Sequence, residues 1–413
     1  MDDNLGTGHN KSPSCAGGQR SVRDNSIQYP LWPPMTAGCP RTSTEDVDYP
    51  VEVDFAYDRI ERELFSRDGS DGTRSGLDRW APLLPPLHAP GLGEGGTPLL
   101  ELEPDVFVKD ESRNPTWSHK DRLNRCTTSA AVALRAPGIV VASSGNHGAS
   151  AAAYAARAGL PCVVLAGPDV PPAVDSFLNA YGAVVLRVPW EARWPVMRQI
   201  VDRLGLHPVS NLTRTHTGHP FGPEGYKTIA YEIFMDVGVP AAVFTPTGYG
   251  ELLFGVWKGF LELRRLALSS SVPRMYSCES AAAAPLAAAL RQGRDAAHVK
   301  VQKTDAYSIV APVSGYRGKR AVTESGGAAL VISDDQLRSA QRELSGHGLW
   351  AELSGAAGLA GLREASGVDG PAVCISTSSG FKDRGTCSGT PSDVVNPEWK
   401  DVSKHLRHAG LSI

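Results

Sequence analysis

The sequence predicts an α/β fold of two lobes, each built on a parallel-rich sheet flanked by helices. Three observations predict it. From about residue 93, short apolar runs alternate with alanine-rich helical stretches. The apolar runs are continuous rather than alternating, as strands buried on both faces require. The same rhythm returns in the second half of the chain, which calls for a second sheet.

The elements follow in order. Residues 1–85 are rich in Gly, Pro, Ser and charge and are punctuated by Pro33-Pro34 and Pro85-Pro86, so they read as a partly irregular extension. Residues 138–143 (GIVVAS) read as a buried strand and 149–158 (ASAAAYAARA) as a tightly packed helix. Residues 162–166 (CVVLA) form the next strand, 173–181 a helix, and 183–188 (AVVLRV) a third strand. Strands at 241–244, 274–277 and 372–376 repeat the pattern, separated by helical stretches. After Asp383 the sequence turns polar and reads as irregular. The expected division is an extension over 1–85, a large domain from 86–117 and 207–390, a small α/β domain over 118–206, and a tail over 391–413.

Composition excludes several classes. At 413 residues, with 41% hydrophobic and 21% charged residues, the chain is long enough for two globular domains. A formal charge of -3 gives no electrostatic footprint for nucleic acid or an anionic membrane. No apolar run approaches the roughly 18 residues of a membrane span. The polar N-terminus carries no apolar signal core, which predicts a cytoplasmic protein. The seven cysteines are dispersed without CxxC spacing, as in a reducing compartment, and Cys162 and Cys374 read as buried small hydrophobes. The eleven histidines show no ligand spacing such as HExxH, so no metal site is expected.

Four segments carry chemistry. In 108–122 (VKDESRNPTWSHKDR), a turn at Asn114-Pro115-Thr116 precedes a helix for which Ser118 is a candidate N-cap. Lysines in helices are ordinarily solvated charges. This placement sets Lys120 near a helix start, where the dipole favours the neutral amine needed to attack an aldehyde. In 142–150 (ASSGNHGAS), small hydroxyls and free amides lie between a strand and a helix, a ready anion cradle. Ser144, Asn146 and His147 are candidates to hold a substrate carboxylate there. In 245–255 (TPTGYGELLFG), the backbone amides of Gly248, Tyr249, Gly250, Glu251 and Leu252 could wrap a phosphate, although the Glu251 carboxylate repels one unless it points away. In 373–383 (VCISTSSGFKD), a buried strand ends in a hydroxyl-rich turn, where ligands of α/β sheets bind.

In this order and at these separations, the segments resemble the threonine synthase branch of the fold-type-II pyridoxal 5'-phosphate enzymes, the tryptophan synthase β-like superfamily. LGEGGTPL (92–99) resembles that branch's LGEGxTPL opening, and NPTWSHKDR (114–122) resembles NPTGSFKDR. SSGNHGASAAAYAARAGLP (143–161) is similar to the asparagine loop and its helix, PTGYGELLFGVWKGF (246–260) to the phosphate cup and its helix, and TSSGFKD (377–383) to the closing TGxGLKD. The resemblance covers roughly residues 90–385. It implies a two-lobed fold-type-II architecture, with the large domain binding pyridoxal phosphate. Lys120 would hold the cofactor as a Schiff base, Asn146 would bond its phenolic oxygen, and residues 248–252 would cup its phosphate. Thr377 would lie beside the ring nitrogen. Ser143, Ser144, Asn146 and His147 would bind the substrate carboxylate. A homodimer is expected, as in many relatives.

The departures from the pattern predict a retuned site. His119 replaces the usual Phe before the lysine, and Trp117 and Arg113 replace small or aliphatic residues. The cup reads GYGEL, Ser378-Ser379 alters the closing motif, and 308–320 (SIVAPVSGYRGKR) is a basic substitute on the substrate side. His119 and Arg113 become substrate-binding candidates. A neutral hydroxyl at the ring nitrogen makes a weaker electron sink than a carboxylate would, which favours elimination and replacement at the β or γ carbon over transamination. Lys120, once released, would remove the Cα proton. In threonine synthases the substrate is O-phosphohomoserine, and Arg113, Lys227, Arg317, Lys319, Arg320 and Lys382 are the candidates to hold its phosphate. The alternative is β-replacement or deamination of a serine- or threonine-like amino acid in specialised metabolism.

Overall fold

A computed structural model of the chain describes residues 13–66, 75–168, 170–383 and 395–412. The first twelve residues of the expected extension, and Cys387, lie outside the described residues. From the N-terminal side come β1 (Ala16–Ser21), β2 (Gln28–Tyr29), β3 (Val51–Phe55), β4 (Leu99–Glu103), β5 (Val106–Asp110) and helix α1 (Lys120–Ala133). Then follow β6 (Ile139–Ala142), α2 (Asn146–Arg157), β7 (Cys162–Ala166), α3 (Pro172–Ala180), β8 (Val184–Arg187), α4 (Arg193–Leu204) and β9 (His207–Pro208). The second half holds α5 (Gly222–Val237), β10 (Ala242–Pro246), α6 (Glu251–Arg265), β11 (Arg274–Ser280), α7 (Pro285–Arg291) and α8 (Tyr316–Ser325). It closes with β12 (Ala329–Ile332), α9 (Asp334–Gly346), α10 (Ala357–Glu364) and β13 (Ala372–Ser376).

The buried apolar runs become the sheets the sequence predicts. One sheet has the order β12-β11-β10-β13-β5-β4 and is parallel except at its β4–β5 edge. The other, β8-β7-β6-β9, is wholly parallel. Alanine does on α2 what the sequence suggests: Ala149, Ala151, Ala152 and Ala155 are fully buried and let α2 pack closely in its core. Cys162 and Cys374 are buried in their strands, as expected. This topology positions the site. Strands β10, β13 and β5 are neighbours, so their carboxyl ends deliver residues 247–251, 377–383 and 111–120 side by side. The carboxyl end of β6 delivers residues 143–146 from the second sheet.

Two regions are more regular than their composition suggests. β1, β2 and β3 form an antiparallel sheet whose Val51 and Val53 are buried. Surrounding Gly and Pro hide these short strands from a periodicity reading. The tail, expected to be irregular, carries α11 (Trp399–His408) within residues 395–412. Trp399, Val402 and Leu406 fall on one face at helical spacing, a signal diluted by seven polar or charged neighbours.

Glu52 binds the N-terminal sheet to the core. It accepts from Arg20 Nε at 2.9 Å and lies 3.2 Å from Lys258 Nζ on α6. Burial opposes its ionisation, but Lys258 and Arg20 outweigh that and hold its pKa at about 2. A depressed carboxylate stabilises the fold fully above its ordinary value, and that stability is lost as pH falls through the folded value. The contribution is on the order of 3 kcal/mol. Acid denaturation of Glu52→Gln should therefore lack one transition step between about pH 4.5 and 2. A variant with an unaltered acid limb would show that Glu52 carries no such charge.

Candidate active site

The lysine segment is held by a scaffold of buried charge, and the lysine itself is left free of it. Asp121 accepts from the Thr116 amide, the Thr116 hydroxyl and the Ser150 hydroxyl, each at 2.6 Å. Burial pushes the Asp121 carboxyl up to about 6, against those hydrogen bonds. Arg122 is fully buried between Glu111 and Glu232, with Thr97 and Thr228 taking further donors. Thr97 belongs to the 92–99 motif, so two motifs far apart in sequence meet at one guanidinium. Lys120 opens α1 with Nζ 5.5 Å from the Tyr226 ring centroid. Burial lowers its amine pKa, with Glu251 opposing.

The expected N-cap is corrected. His119, not Ser118, precedes the first helical residue, and no side chain caps it. The Ser118 hydroxyl is buried with no hydrogen-bond partner among the described residues. His119 instead straps the helix start to the closing segment. Its backbone N–H donates to the Thr377 carbonyl at 3.0 Å, and its Nδ1 donates to the same oxygen at 3.1 Å. A carbonyl only accepts, so the tautomer is Nδ1–H. Burial and the Lys120 charge keep this imidazole well below its ordinary pKa, and hence neutral. Trp117 adopts a left-handed backbone (φ 62°), at a cost of about 1 kcal/mol for a non-glycine residue. Its carbonyl accepts from the Ser379 amide and the Ser378 hydroxyl, and its ring packs edge-on to Phe177 of α3 at 5.4 Å.

At the second loop, the side chains are largely committed to one another. Ser143 accepts from the Gly145 amide and Ser144 from the Gly167 amide. Asn146 donates to Glu352 at 2.7 Å and accepts from Ser378 and Lys382 at 3.1 and 2.8 Å. Lys382 also donates to the Thr116 carbonyl, and burial lowers its amine to about 8. The loop's free donors are therefore its backbone amides at the α2 N-terminus. His147 is lowered to about 3 by burial and by Lys120. Its Nε2 is buried without a partner among the described residues.

The third loop is the cup. Gly250 caps α6 with φ 86°, and a Cβ there would lie 2.9 Å from the Gly318 Cα. Tyr249 stacks on His216 at 4.1 Å and 14°. Leu252 is buried. The Glu251 carboxylate faces a histidine and an arginine. It lies 3.8 Å from His216 Nε2 and 3.9 Å from Arg317 Nη1. Burial raises its pKa, with Lys120 and Arg317 opposing.

The structure thus assembles Lys120, His119, Ser143, Ser144, Asn146, His147, Gly248, Tyr249, Gly250, Glu251, Leu252 and Thr377 from the loops at these strand ends. It turns Arg113 outward, 64% exposed and paired with Asp110. Sequence reasoning missed Glu352, His216, Asp121 and Arg122. A lone carboxylate in the otherwise apolar or small run WAELSGAAGLAGL was the available signal for Glu352.

These residues fit pyridoxal phosphate in the main. They offer a depressed amine at a helix mouth, a glycine cradle at another, a buried hydroxyl residue at Thr377, and unpartnered polar atoms at Ser118 and His147. The Glu251 carboxylate is the discordant feature.

Comparisons with known proteins point the same way. A family model described as pyridoxal-phosphate dependent enzyme matches residues 91–380. Threonine synthase of Methanocaldococcus jannaschii is 31% identical over 359 residues, covering 81% of this chain and 87% of its own. Threonine synthase of Methanosarcina acetivorans is 30% identical over 329 residues, covering 74% and 80%. Among solved structures, maize serine racemase superposes with a TM-score of 0.59 at 21% identity, over 76% of this chain and 94% of that one, a likeness of fold.

Proposed function

The chain belongs to the pyridoxal-phosphate dependent enzymes, and on that footing we propose that it acts on an O-phosphohomoserine-type amino acid with phosphate as leaving group. It is a pyridoxal 5'-phosphate-dependent lyase of the elimination-and-replacement kind. When bound, the cofactor supplies an aldehyde for the lysine and an electron sink for the substrate's Cα. The chain's own residues do the rest. Lys120 anchors the cofactor and, from a half-buried mouth that lowers its amine pKa, takes the Cα proton. The amides at the start of α2 receive the substrate carboxylate. The neutral His119 and the committed Asn146 fix the walls. The observation that carries the reading is the placement of Lys120 at the start of α1, where three neighbouring strands end. The reading includes a cytoplasmic homodimer, in keeping with the dispersed thiols; among the described residues no helix is long and apolar enough to cross a membrane.

A second reading is favoured by where the cations lie. Lys227 is buried between Glu224 and Glu262. Lys319 pairs with Asp295, Arg320 with Glu324 and Arg113 with Asp110. Lys382 is engaged by Thr116 and Asn146. Arg317 remains beside the site, with Glu251 against it. Such a site suits a neutral leaving group on a serine- or threonine-like amino acid. Purified enzyme should be given O-phosphohomoserine, serine and threonine in separate steady-state assays. Phosphate and threonine from the first are expected. A 2-oxo acid and ammonia from the others, with no phosphate released, would replace the first reading by the second.

A further inference from the structure

The start of α6 already contains a carboxyl group. Glu251 is the first residue of this 15-residue helix, and its carboxylate fits a niche that only glycine permits: at Gly218 (φ 60°) a Cβ would lie 2.0 Å from Glu251 Oε1. Its nearest nitrogen neighbours, on the neutral His216 and on Arg317, are 3.8 and 3.9 Å away, too far for hydrogen bonds. The carboxylate is therefore lodged in place without being tightly bonded to either.

Arg317 forms the other half of the arrangement. Its side chain is 2% exposed, with Nη1 3.9 Å from Glu251. Nη1 donates to the Thr217 carbonyl and Nη2 to the Val51 carbonyl, while Nε is buried without a partner among the described residues. A buried guanidinium with a donor unpaired is costly unless an anion accompanies it. Gly250 and Gly318 lie back to back, so the starts of α6 and α8 share one wall. Helix amides, a buried arginine and a neutral histidine make a receptor for an anion with more oxygens than a carboxylate offers.

We propose that Glu251 is a built-in occupant of the anion cup, held against Arg317 and displaced when the cofactor's phosphate binds, whereupon Arg317 becomes that phosphate's counter-charge. The proposal rests on the pyridoxal phosphate reading of the site. Arg317 lies 3.9 Å from the Glu251 carboxyl, and a phosphate taking Arg317 as its partner would compete with that carboxyl for one guanidinium. The affinity for the phosphorylated cofactor is then set by the exchange, while the affinity for the same ring without a phosphate is not.

The test uses that difference. Full-length protein stripped of cofactor is titrated with pyridoxal phosphate and, separately, with pyridoxal, following the visible absorbance of the lysine-bound ring. Glu251→Gln should tighten pyridoxal phosphate by about tenfold or more and leave pyridoxal within about twofold. Arg317→Met should weaken pyridoxal phosphate by about tenfold relative to pyridoxal. Glu251→Ala, checked by its melting temperature, gives a second route to the first result. An unchanged affinity ratio in the Glu251 variants overturns the exchange while leaving the cofactor reading intact. Failure of the wild type to bind either ring at Lys120 overturns both.

Discussion

Lys120→Ala should lose turnover by at least about a thousandfold, because one substitution removes both the covalent anchor and the base at Cα. The fold should survive it. Lys120 is half-buried, its amine is already depressed by burial, and the bonds that fix the segment run through its neighbours Thr116, His119, Asp121 and Arg122. The variant should therefore melt near the wild-type temperature while losing the yellow colour of lysine-bound cofactor. Borohydride reduction of the wild type, followed by peptide mapping, should place the label on the peptide containing Lys120, and reduction of the variant should label no lysine. Partial recovery of turnover by a small added amine would separate lost chemistry from lost structure. Label on a different lysine, or a variant with full activity, would remove the basis for every role assigned around this residue.

The sequence displays the strands and the loops between them because burial on two faces leaves a continuous apolar run that little else produces. Strands β6, β7, β10, β11 and β13 fall within a few residues of their expected bounds for that reason. Helix starts were read less well. α2 begins at Asn146 rather than 149, since the tight Gly145 turn delivers the chain to the helix sooner than alanine periodicity suggests. Ser118 looked like a cap, but the His119 and Thr116 amides are satisfied across space by Thr377 and Asp121, so local cap chemistry does not decide the segment's conformation. The N-terminal sheet escaped notice because its strands are short and flanked by Gly and Pro. What those residues supply to the site, the Val51 carbonyl on Arg317, is a contact spanning 266 positions that no local pattern encodes. Motif residues were legible as chemistry, and their partners were not. Asn146 stands out in SSGNHG, but its bonds to Glu352, Ser378 and Lys382 depend on how β13 and the loop before α10 meet α2.

Arg122→Met should destabilise the protein by about 3–5 kcal/mol, the largest stability effect expected in the site's surroundings. The guanidinium uses its whole fork: Nε and Nη2 bridge Glu111 at 2.7 and 2.8 Å, and Nη1 and Nη2 bridge Glu232 at 2.6 and 2.8 Å. Methionine fills comparable volume but leaves two buried carboxylates with one neighbouring cation, Lys109, 2.8 Å from Glu232. In the wild type, burial pushes the Glu232 pKa up, and Arg122 and Lys109 more than reverse this, so it lies well below the ordinary value. Without Arg122 the folded-state pKa must rise. A carboxyl raised in the folded state gains stability as pH falls, because protonation removes the uncompensated charge. The stability gap between variant and wild type should thus be widest near neutral pH and narrow toward acid. Lost packing alone would leave it constant. Denaturant midpoints across that range distinguish the two causes. Adding Glu232→Gln to Arg122→Met should recover part of the loss, since the pair is coupled. If the double variant is instead less stable than Arg122→Met, and by as much as Glu232→Gln alone costs, then Arg122 and Glu232 act independently and the buried pair does not order the Lys120 segment.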